Sequence, residues 1–173
     1  VSVDGSGVRI GAMTSYAALA EESGLDGAYQ AVRDAASRVG DRQVRNRGTL
    51  GGSIANNDPA ADYPAAVLGL GATVITTGRE ISADDFFTDM FETALEEGEI
   101  ITAVRFPNAA KAGYAKFPNP ASRYAIVGVM VAASLRSTVL QGVFGVLGIV
   151  IGLYLGLGRS EWRLGPTMPR GVT

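Results

Sequence analysis

The chain contains no cysteine and no histidine among its 173 residues. Without cysteine it cannot form a disulfide, present a thiolate nucleophile, or carry a cysteine-bound zinc ion or iron–sulfur cluster. Without histidine it cannot form a Ser-His-Asp triad or bind a metal through imidazole, although carboxylates remain as ligands for hard cations. These absences exclude those classes of site, and we predict no metal site on this chain.

Lysine is also scarce, since Lys111 and Lys116 stand against 13 arginines. Residues 1–134 carry 16 of the 17 acidic and 11 of the 15 basic side chains, a net charge of −5, whereas residues 135–173 carry +3. An acidic main body with dispersed arginines argues against nucleic-acid binding. Val1–Gly7 is polar and glycine-rich, unlike a signal peptide, so we expect a cytoplasmic location.

Only residues 135–173 contain a long apolar run. Between Arg136 and Arg159 lie 22 uncharged residues, six of them glycine. This length and apolarity meet the sequence criterion for a transmembrane helix, with 139–158 as the candidate span. The alternatives are a buried segment or an artefactual end. We predict two regions, 1–134 and 135–173.

The acidic region shows both helical and strand patterns. Apolar residues recur at helical spacing over Ala28–Val39, and the β-branched run Ile100–Phe106 ends at a proline, as strands often do. Tyr114–Phe117 and Ala125–Ala133 have the composition of two further strands. Separate helices among closely spaced strands predict an α+β fold with an antiparallel sheet.

Residues 41–61 break both periodicities, and loops of this length are more often functional or disordered. Gly51 and Gly52 stand there between the hydroxyls of Thr49 and Ser53. Glycines let a backbone approach a diphosphate closely with its N–H groups pointing inward, and flanking hydroxyls add donors. The region therefore suggests a phosphate cradle, although it matches neither common glycine-rich phosphate motif.

Asp62 follows this segment and could accept a hydrogen bond from a ribose hydroxyl if the loop folds back. Arg42, Arg45 and Arg47 could supply positive potential nearby. The alternative interpretation is structural: the glycine pair and Asp58-Pro59 would be ordinary turns, and the arginines a solvated face. Spacing alone leaves both interpretations open.

One long sequence segment is more informative than the spacing of its residues. The sequence Arg45-Asn-Arg-Gly-Thr-Leu-Gly-Gly-Ser-Ile-Ala-Asn-Asn-Asp-Pro-Ala-Ala-Asp62 resembles the FAD-binding medium subunit of the xanthine dehydrogenase and aerobic carbon monoxide dehydrogenase family, the molybdenum hydroxylases. Arg9–Tyr16, Gly98–Pro107 and Tyr114–Gly128 resemble further segments of that subunit in the same order. The resemblance spans residues 1 to about 134 and implies an FAD-binding domain of the PCMH type, its larger subdomain, with a mixed or antiparallel sheet and flanking helices.

The resemblance also implies the cofactor-binding residues. Thr49, Leu50, Gly51, Gly52 and Ser53 would hold the FAD diphosphate. On the same grounds, Asp62 would bind the ribose side, Ile101 would lie beside the flavin, and Lys116 would be the basic residue close to it. The alternatives are that Ile101 is a core residue and Lys116 a charge at a strand edge.

In such a complex, electrons from a molybdenum–pterin centre on a large subunit cross two [2Fe–2S] clusters on a small subunit and reach FAD, which passes them to an external acceptor. The lack of cysteine agrees with clusters on a partner. The resemblance thus implies an electron-transfer flavoprotein subunit of an oxidoreductase, with no catalytic residue on this chain. Two other hypotheses are a non-functional fragment of that subunit and a membrane-tethered interaction module that uses residues 139–158.

The resemblance has two departures. The family's medium chain begins with a further stretch that supplies another half of the diphosphate cradle, and no counterpart precedes Val1. We therefore expect a domain incomplete at its N-terminus and weak or absent FAD binding by the isolated chain. Residues 135–173 match no part of the family, which a shifted reading frame would explain.

Overall fold

The structure, a computed structural model, describes residues 1–133. This part of the chain contains six short α-helices and nine strands. The helices are α1 (Tyr16–Glu21), α2 (Gln30–Ser37), α3 (Arg42–Arg47), α4 (Leu50–Asn56), α5 (Asp62–Gly69) and α6 (Ala83–Phe86). The strands are β1 (Ser2–Asp4), β2 (Gly7–Gly11), β3 (Thr73–Thr76), β4 (Glu80–Ser82), β5 (Phe87–Asp89), β6 (Glu92–Thr93), β7 (Ile101–Pro107), β8 (Lys111–Pro118) and β9 (Ala125–Ala133).

A five-stranded sheet in the order β1-β2-β7-β3-β4 forms the base of the fold. Its strand pairs are all antiparallel, and β7 lies at the centre with Val104 opposite both Ile10 and Val74. These three side chains are fully buried. Alternate residues of a strand point to opposite faces, so one face of this sheet builds the core. The predicted α+β fold with an antiparallel sheet is confirmed.

A second, two-stranded sheet is the hairpin of β8 and β9. Tyr114 and Met130 lie opposite each other on the face that packs against α2 and α5. The other face is apolar and exposed, with Val127, Val129 and Val131 all about half accessible to solvent. The predicted strand Ala125–Ala133 has the predicted bounds, whereas β8 extends beyond the predicted Tyr114–Phe117 at its start and by one residue at its end.

The expectation of an irregular loop over residues 41–61 is wrong for most of that segment, because α3 and α4 form there. Each of these helices is too short for its apolar positions to repeat. Local caps define them instead: the side chain of Asp41 accepts from the N–H of Val44, and that of Thr49 accepts from the N–H of Gly52. A side-chain cap satisfies an N–H group that the first turn of a helix leaves without a partner.

Gly51 is buried because α4 approaches the end of β2 very closely. Its N–H donates to the carbonyl of Ala12 at 2.8 Å. A Cβ atom on Gly51 would lie 2.6 Å from the Cβ of Ala12, which is closer than carbon atoms pack. The structural role of this glycine is therefore helix-to-sheet packing, which places the N-terminus of α4 beside the sheet.

Two further observations bear on the sequence predictions. Within residues 1–133, no helix combines the length and the apolar content needed to cross a membrane. The candidate span 139–158 and the predicted region 135–173 lie outside the described residues.

Candidate functional site

A cleft of about 470 Å³ opens beside the N-terminus of α4. Its walls come from the end of α3, the start of α5, β8 and the turn before β9. Of the eight residues that the resemblance implies as cofactor-binding, five line the cleft: Thr49, Gly52, Ser53, Asp62 and Lys116. The fold thus brings together residues that are up to 67 positions apart in the sequence.

The remaining three do not line this cleft. Leu50 is fully buried in the core, and Gly51 packs on the sheet as described above. Ile101 is 8% exposed on β7, where it belongs to the main hydrophobic core. A role of these three at the cleft would act through the backbone or through the packing that positions α4.

The backbone N–H groups in the first turn of α4 already have hydrogen-bond acceptors within the chain. They therefore do not form the expected cradle of free N–H groups. Leu50 donates to the carbonyl of Thr14 and Gly52 donates to the hydroxyl of Thr49. Ser53 donates to the carbonyl of Thr49. The groups that this turn offers to a ligand are therefore the hydroxyl protons of Thr49 and Ser53, together with the positive end of the helix dipole.

Asp62 and Lys116 form a buried ion pair in the cleft wall. Lys116 Nζ lies 2.8 Å from Asp62 Oδ2, and the two side chains are 2% and 5% exposed. The same ammonium group donates to the carbonyl of Arg38 at 3.0 Å, just past the end of α2. Buried charges are tolerated when they are paired and hydrogen-bonded in this way.

The second carboxylate oxygen of Asp62 accepts a hydrogen bond from the hydroxyl of Tyr114. Burial, followed by this contact with the carboxylate, raises the pKa of Tyr114 far above its usual value. Tyr114 therefore stays protonated and acts as a donor. Both oxygens of Asp62 have partners within the chain, so a ribose hydroxyl would have to share an oxygen rather than meet a free one.

The floor of the cleft is aromatic. Tyr16 lines it and stacks on Tyr63, with ring centroids 5.1 Å apart and an interplanar angle of 11°. Burial raises the pKa of Tyr16, and a hydrogen bond with Ser53 opposes that rise. Burial also raises the pKa of Tyr63 well above its usual value, and its hydroxyl donates to the carbonyl of Val32. Both tyrosines are therefore neutral at neutral pH, and Tyr16 presents its ring to the cleft with Tyr63 stacked behind it.

The rim opposite α4 is the turn between β8 and β9. The side chain of Asn119 accepts from the N–H groups of Ala121 and Ser122, which fixes the turn. The turn brings Arg123 and Tyr124 to the cleft, and Arg47 at the end of α3 lines it as well. Two exposed guanidinium groups thus add positive charge beside the helix terminus.

Sequence reasoning missed three tyrosines of this site: Tyr16, Tyr114 and Tyr124. A signal existed for Tyr114, because residues two apart on a strand share a face and Lys116 was already a candidate. No comparable signal existed for Tyr16, whose neighbours in the cleft are distant in the sequence. Among the described residues, no group of three or more acidic side chains could hold a metal ion.

An α+β domain with a helix terminus, hydroxyls and cations around one cleft has the features of a nucleotide-cofactor-binding domain. The comparisons with known proteins are more specific. Residues 1–109 match the family described as "FAD binding domain in molybdopterin dehydrogenase". The chain belongs to this family, which confirms the resemblance found in its sequence.

Individual relatives agree. The chain is 34% identical over 144 residues to the glyceraldehyde dehydrogenase medium chain of Sulfolobus acidocaldarius, covering 80% of this chain and 51% of that one. It is 39% identical over 108 residues to the carbon monoxide dehydrogenase medium chain of Afipia carboxidovorans, covering 60% and 38%. The chain therefore spans about half the length, or less, of these relatives.

A solved structure supports the fold. Quinoline 2-oxidoreductase from Pseudomonas putida 86 contains a chain that superposes with a TM-score of 0.72 at 28% sequence identity. The match covers 79% of this chain and 50% of that one. Its similarity confirms the PCMH-type FAD-binding fold, and the named relatives are subunits of oxidoreductases.

Proposed function

We propose that this chain binds FAD in the cleft beside α4 and serves as the electron-transfer flavoprotein subunit of a molybdenum hydroxylase complex. The observation that carries the proposal is the convergence of Thr49, Gly52, Ser53, Asp62 and Lys116 on one cleft in a chain of the FAD-binding family. FAD would supply the redox chemistry, and the residues described here would bind and orient it.

The cleft suits a diphosphate at the N-terminus of α4. Gly52 is exposed there, and the hydroxyls of Thr49 and Ser53 flank it. An anion at a helix N-terminus gains from the helix dipole, and the guanidinium groups of Arg47 and Arg123 add to that attraction, which the carboxylates of Asp41 and Asp58 in the same lining oppose. A side chain at position 52 would occupy the space that the phosphate oxygens need.

Asp62 and Lys116 offer the cofactor an ordered polar wall instead of a free charge. Lys116 retains a positive end that can orient polar atoms of the ribose or the flavin, while Asp62 balances its charge. Ile101 remains a predicted neighbour of the flavin, although it lies in the core of the described residues. Leu50 and Gly51 would act by holding α4 in place.

In the complex, a large molybdenum–pterin subunit and a small [2Fe–2S] subunit would be the partners. Electrons would reach this subunit from the clusters and leave for an external acceptor. Two observations support this division: the relatives carry the name medium chain, and the chain itself has no cysteine to hold a cluster. The family match does not favour a membrane-tethered interaction module, and the cytoplasmic location stays a prediction.

Titration of the purified chain with FAD, followed by flavin fluorescence, tests the binding proposal. We expect saturable but weak binding, with a Kd above about 1 μM, because the backbone N–H groups in the first turn of α4 already have partners. Gly52→Val should abolish the signal. Gly113→Val is the matched control, since a side chain there meets no atom within 4 Å and Gly113 lies on the exposed face of β8.

No saturable binding by the unmodified chain would contradict the proposal, and so would equal affinities of the unmodified chain and the Gly52→Val variant. A Kd of 1 μM or below would refute only the expectation of weak binding. Co-purification with large and small partner chains then tests the electron-transfer role. Reduction of the bound flavin by substrate should require both partners.

A further inference from the structure

Tyr114 lies behind the wall of the cleft. Its side chain is 8% exposed and packs against Ala31 and Ala35 of α2. Tyr114 is not among the residues that line the cleft. Its hydroxyl, however, donates a hydrogen bond to Asp62, which does line the cleft. Among the described residues, Tyr114 is therefore hydrogen-bonded to the cleft wall through Asp62.

Hydrogen bonds connect four groups: the Tyr114 hydroxyl, the Asp62 carboxylate, the Lys116 ammonium group and the carbonyl of Arg38. Tyr114 donates to Oδ1 of Asp62, and Lys116 donates to Oδ2 and to the carbonyl of Arg38. Within residues 1–133, Tyr114 is the donor to Oδ1 of Asp62 and Lys116 is the donor to Oδ2. Removal of that hydroxyl would leave one oxygen of a buried carboxylate without its bond.

Strand geometry places the two donors together. Tyr114 and Lys116 are two residues apart on β8 and so project from the same face, towards the start of α5. Gly128, the cross-strand partner of Lys116, lies beside them. A Cβ atom on Gly128 would come within 3.1 Å of the tyrosine hydroxyl oxygen, so the space around this hydroxyl is closely fitted.

We propose that Tyr114 is a positioning residue of the cofactor cleft, which acts by fixing the carboxylate of Asp62 so that Lys116 is held at the cleft wall. This inference rests on the proposed FAD function. With the hydroxyl present, the carboxylate can turn neither of its oxygens away from its donor without breaking a bond. Without it, the carboxylate gains a second orientation, and Lys116 loses its defined place.

Amine labelling tests the positioning without any ligand. The chain has two lysines, and mass spectrometry after treatment with an acylating reagent measures the acylation rate of each one. Lys111 is exposed, whereas the Lys116 side chain is 2% exposed. In the unmodified chain, Lys116 should react far more slowly than Lys111. In Tyr114→Phe, we expect the rate at Lys116 to rise by about tenfold, since a hydrogen bond to a charged group is lost.

Tyr63→Phe is the matched control, because it removes another buried tyrosine hydroxyl, the one bonded to Val32. If Tyr114 only stabilises the fold, Tyr114→Phe and Tyr63→Phe variants that lose the same amount of stability should show the same rise in Lys116 labelling. Gly128→Ala provides a second test that keeps the hydroxyl but crowds it, with Gly113→Ala on the open face as its control. Labelling should rise in Gly128→Ala and not in Gly113→Ala.

FAD titration completes the test. Tyr114→Phe should weaken FAD binding by about tenfold, and the double variant Tyr114→Phe/Asp62→Asn should bind no more weakly than Asp62→Asn alone. Additive losses would show that Tyr114 does not act through Asp62. Unchanged Lys116 labelling, or changed labelling with unchanged FAD affinity, would overturn the inference. If the unmodified chain binds no FAD, the proposed function fails, and the labelling rates alone decide whether Tyr114 holds Lys116.

Discussion

Two clusters of opposite charges in this domain have similar geometry and very different surroundings. In the cleft, Lys116 and Asp62 meet at 2.8 Å with side chains 2% and 5% exposed. At the far edge of the five-stranded sheet, Arg79 contacts Glu99 at 3.1 Å and Glu96 at 3.2 Å, and its own side chain is 44% exposed. We call these the cleft cluster and the edge cluster.

The edge cluster organises a turn. Thr76 and Arg79 both bond to the carboxylate of Glu99, which joins the β3–β4 turn to the segment before β7. Water reaches Arg79 and Glu96, whose side chains are 44% and 76% exposed, and exposed pairs of this kind contribute little to stability. The Glu99 side chain is 8% exposed. In the cleft cluster the two side chains are almost fully buried, and loss of one partner leaves the other charged and buried. Ion pairs of similar length therefore differ in what they contribute to stability.

Replacement of Lys116 by methionine should have the largest effect. The change keeps the length of the side chain but leaves the Asp62 carboxylate buried without its cation, which costs about 3–5 kcal/mol of unfolding free energy. Denaturant unfolding followed by circular dichroism measures it. Lys111→Met at the exposed start of β8 should leave stability unchanged, and Arg79→Met in the edge cluster should lower it only slightly. Equal losses in the cleft and edge variants would break the comparison.

A pair of helix caps should give an intermediate effect and separate stability from binding. Thr49 caps α4 in the cleft, and Ser82 caps α6 beside the edge strand β4. Replacement of either by alanine should cost about 1 kcal/mol of stability, because one N–H group loses its acceptor. Only Thr49→Ala should also weaken FAD binding. A similar loss of FAD affinity in Ser82→Ala would mean that binding merely follows stability.

The last effect, that of Glu99→Gln, should depend on pH. Bonds from Arg79 and Thr76 lower the pKa of Glu99 from 4.5 to about 2. Because this pKa is lower in the folded chain, its stabilisation is complete above about pH 4.5 and is lost as the pH falls towards 2. The stability difference between the unmodified chain and the variant should therefore shrink over that range. If the stability difference between the unmodified chain and the variant stays constant from pH 6 to pH 2.5, the proposed linkage is wrong.

The sequence was informative wherever a pattern was long enough to repeat. The β-branched run before Pro107 predicted β7, and the run Ala125–Ala133 predicted β9 with its bounds. It failed over residues 41–61, where α3 and α4 are each shorter than two helical turns. Their caps depend on the side chains of Asp41 and Thr49, which also occur in ordinary turns.

The candidate site was predicted unevenly for a similar reason. Thr49, Gly52 and Ser53 lie within five consecutive positions, and their motif identified them together. The partners of Asp62 lie more than fifty positions away, on β8. Which hydroxyl or ammonium group reaches a carboxylate over such a separation depends on how the hairpin packs, and local pattern does not carry that information.

The sequence by itself determined the class of the protein: no cysteine or histidine for a site of its own, an α+β alternation, and one long motif of the FAD-binding family. Only the tertiary structure decided how that motif works. It showed that Gly51 allows α4 to pack closely against the sheet, and that the N–H groups in the first turn of α4 already have acceptors. It also showed that both carboxylate oxygens of Asp62 accept hydrogen bonds. Composition and motifs are local properties, whereas hydrogen-bond partners and burial arise when distant segments exclude water together.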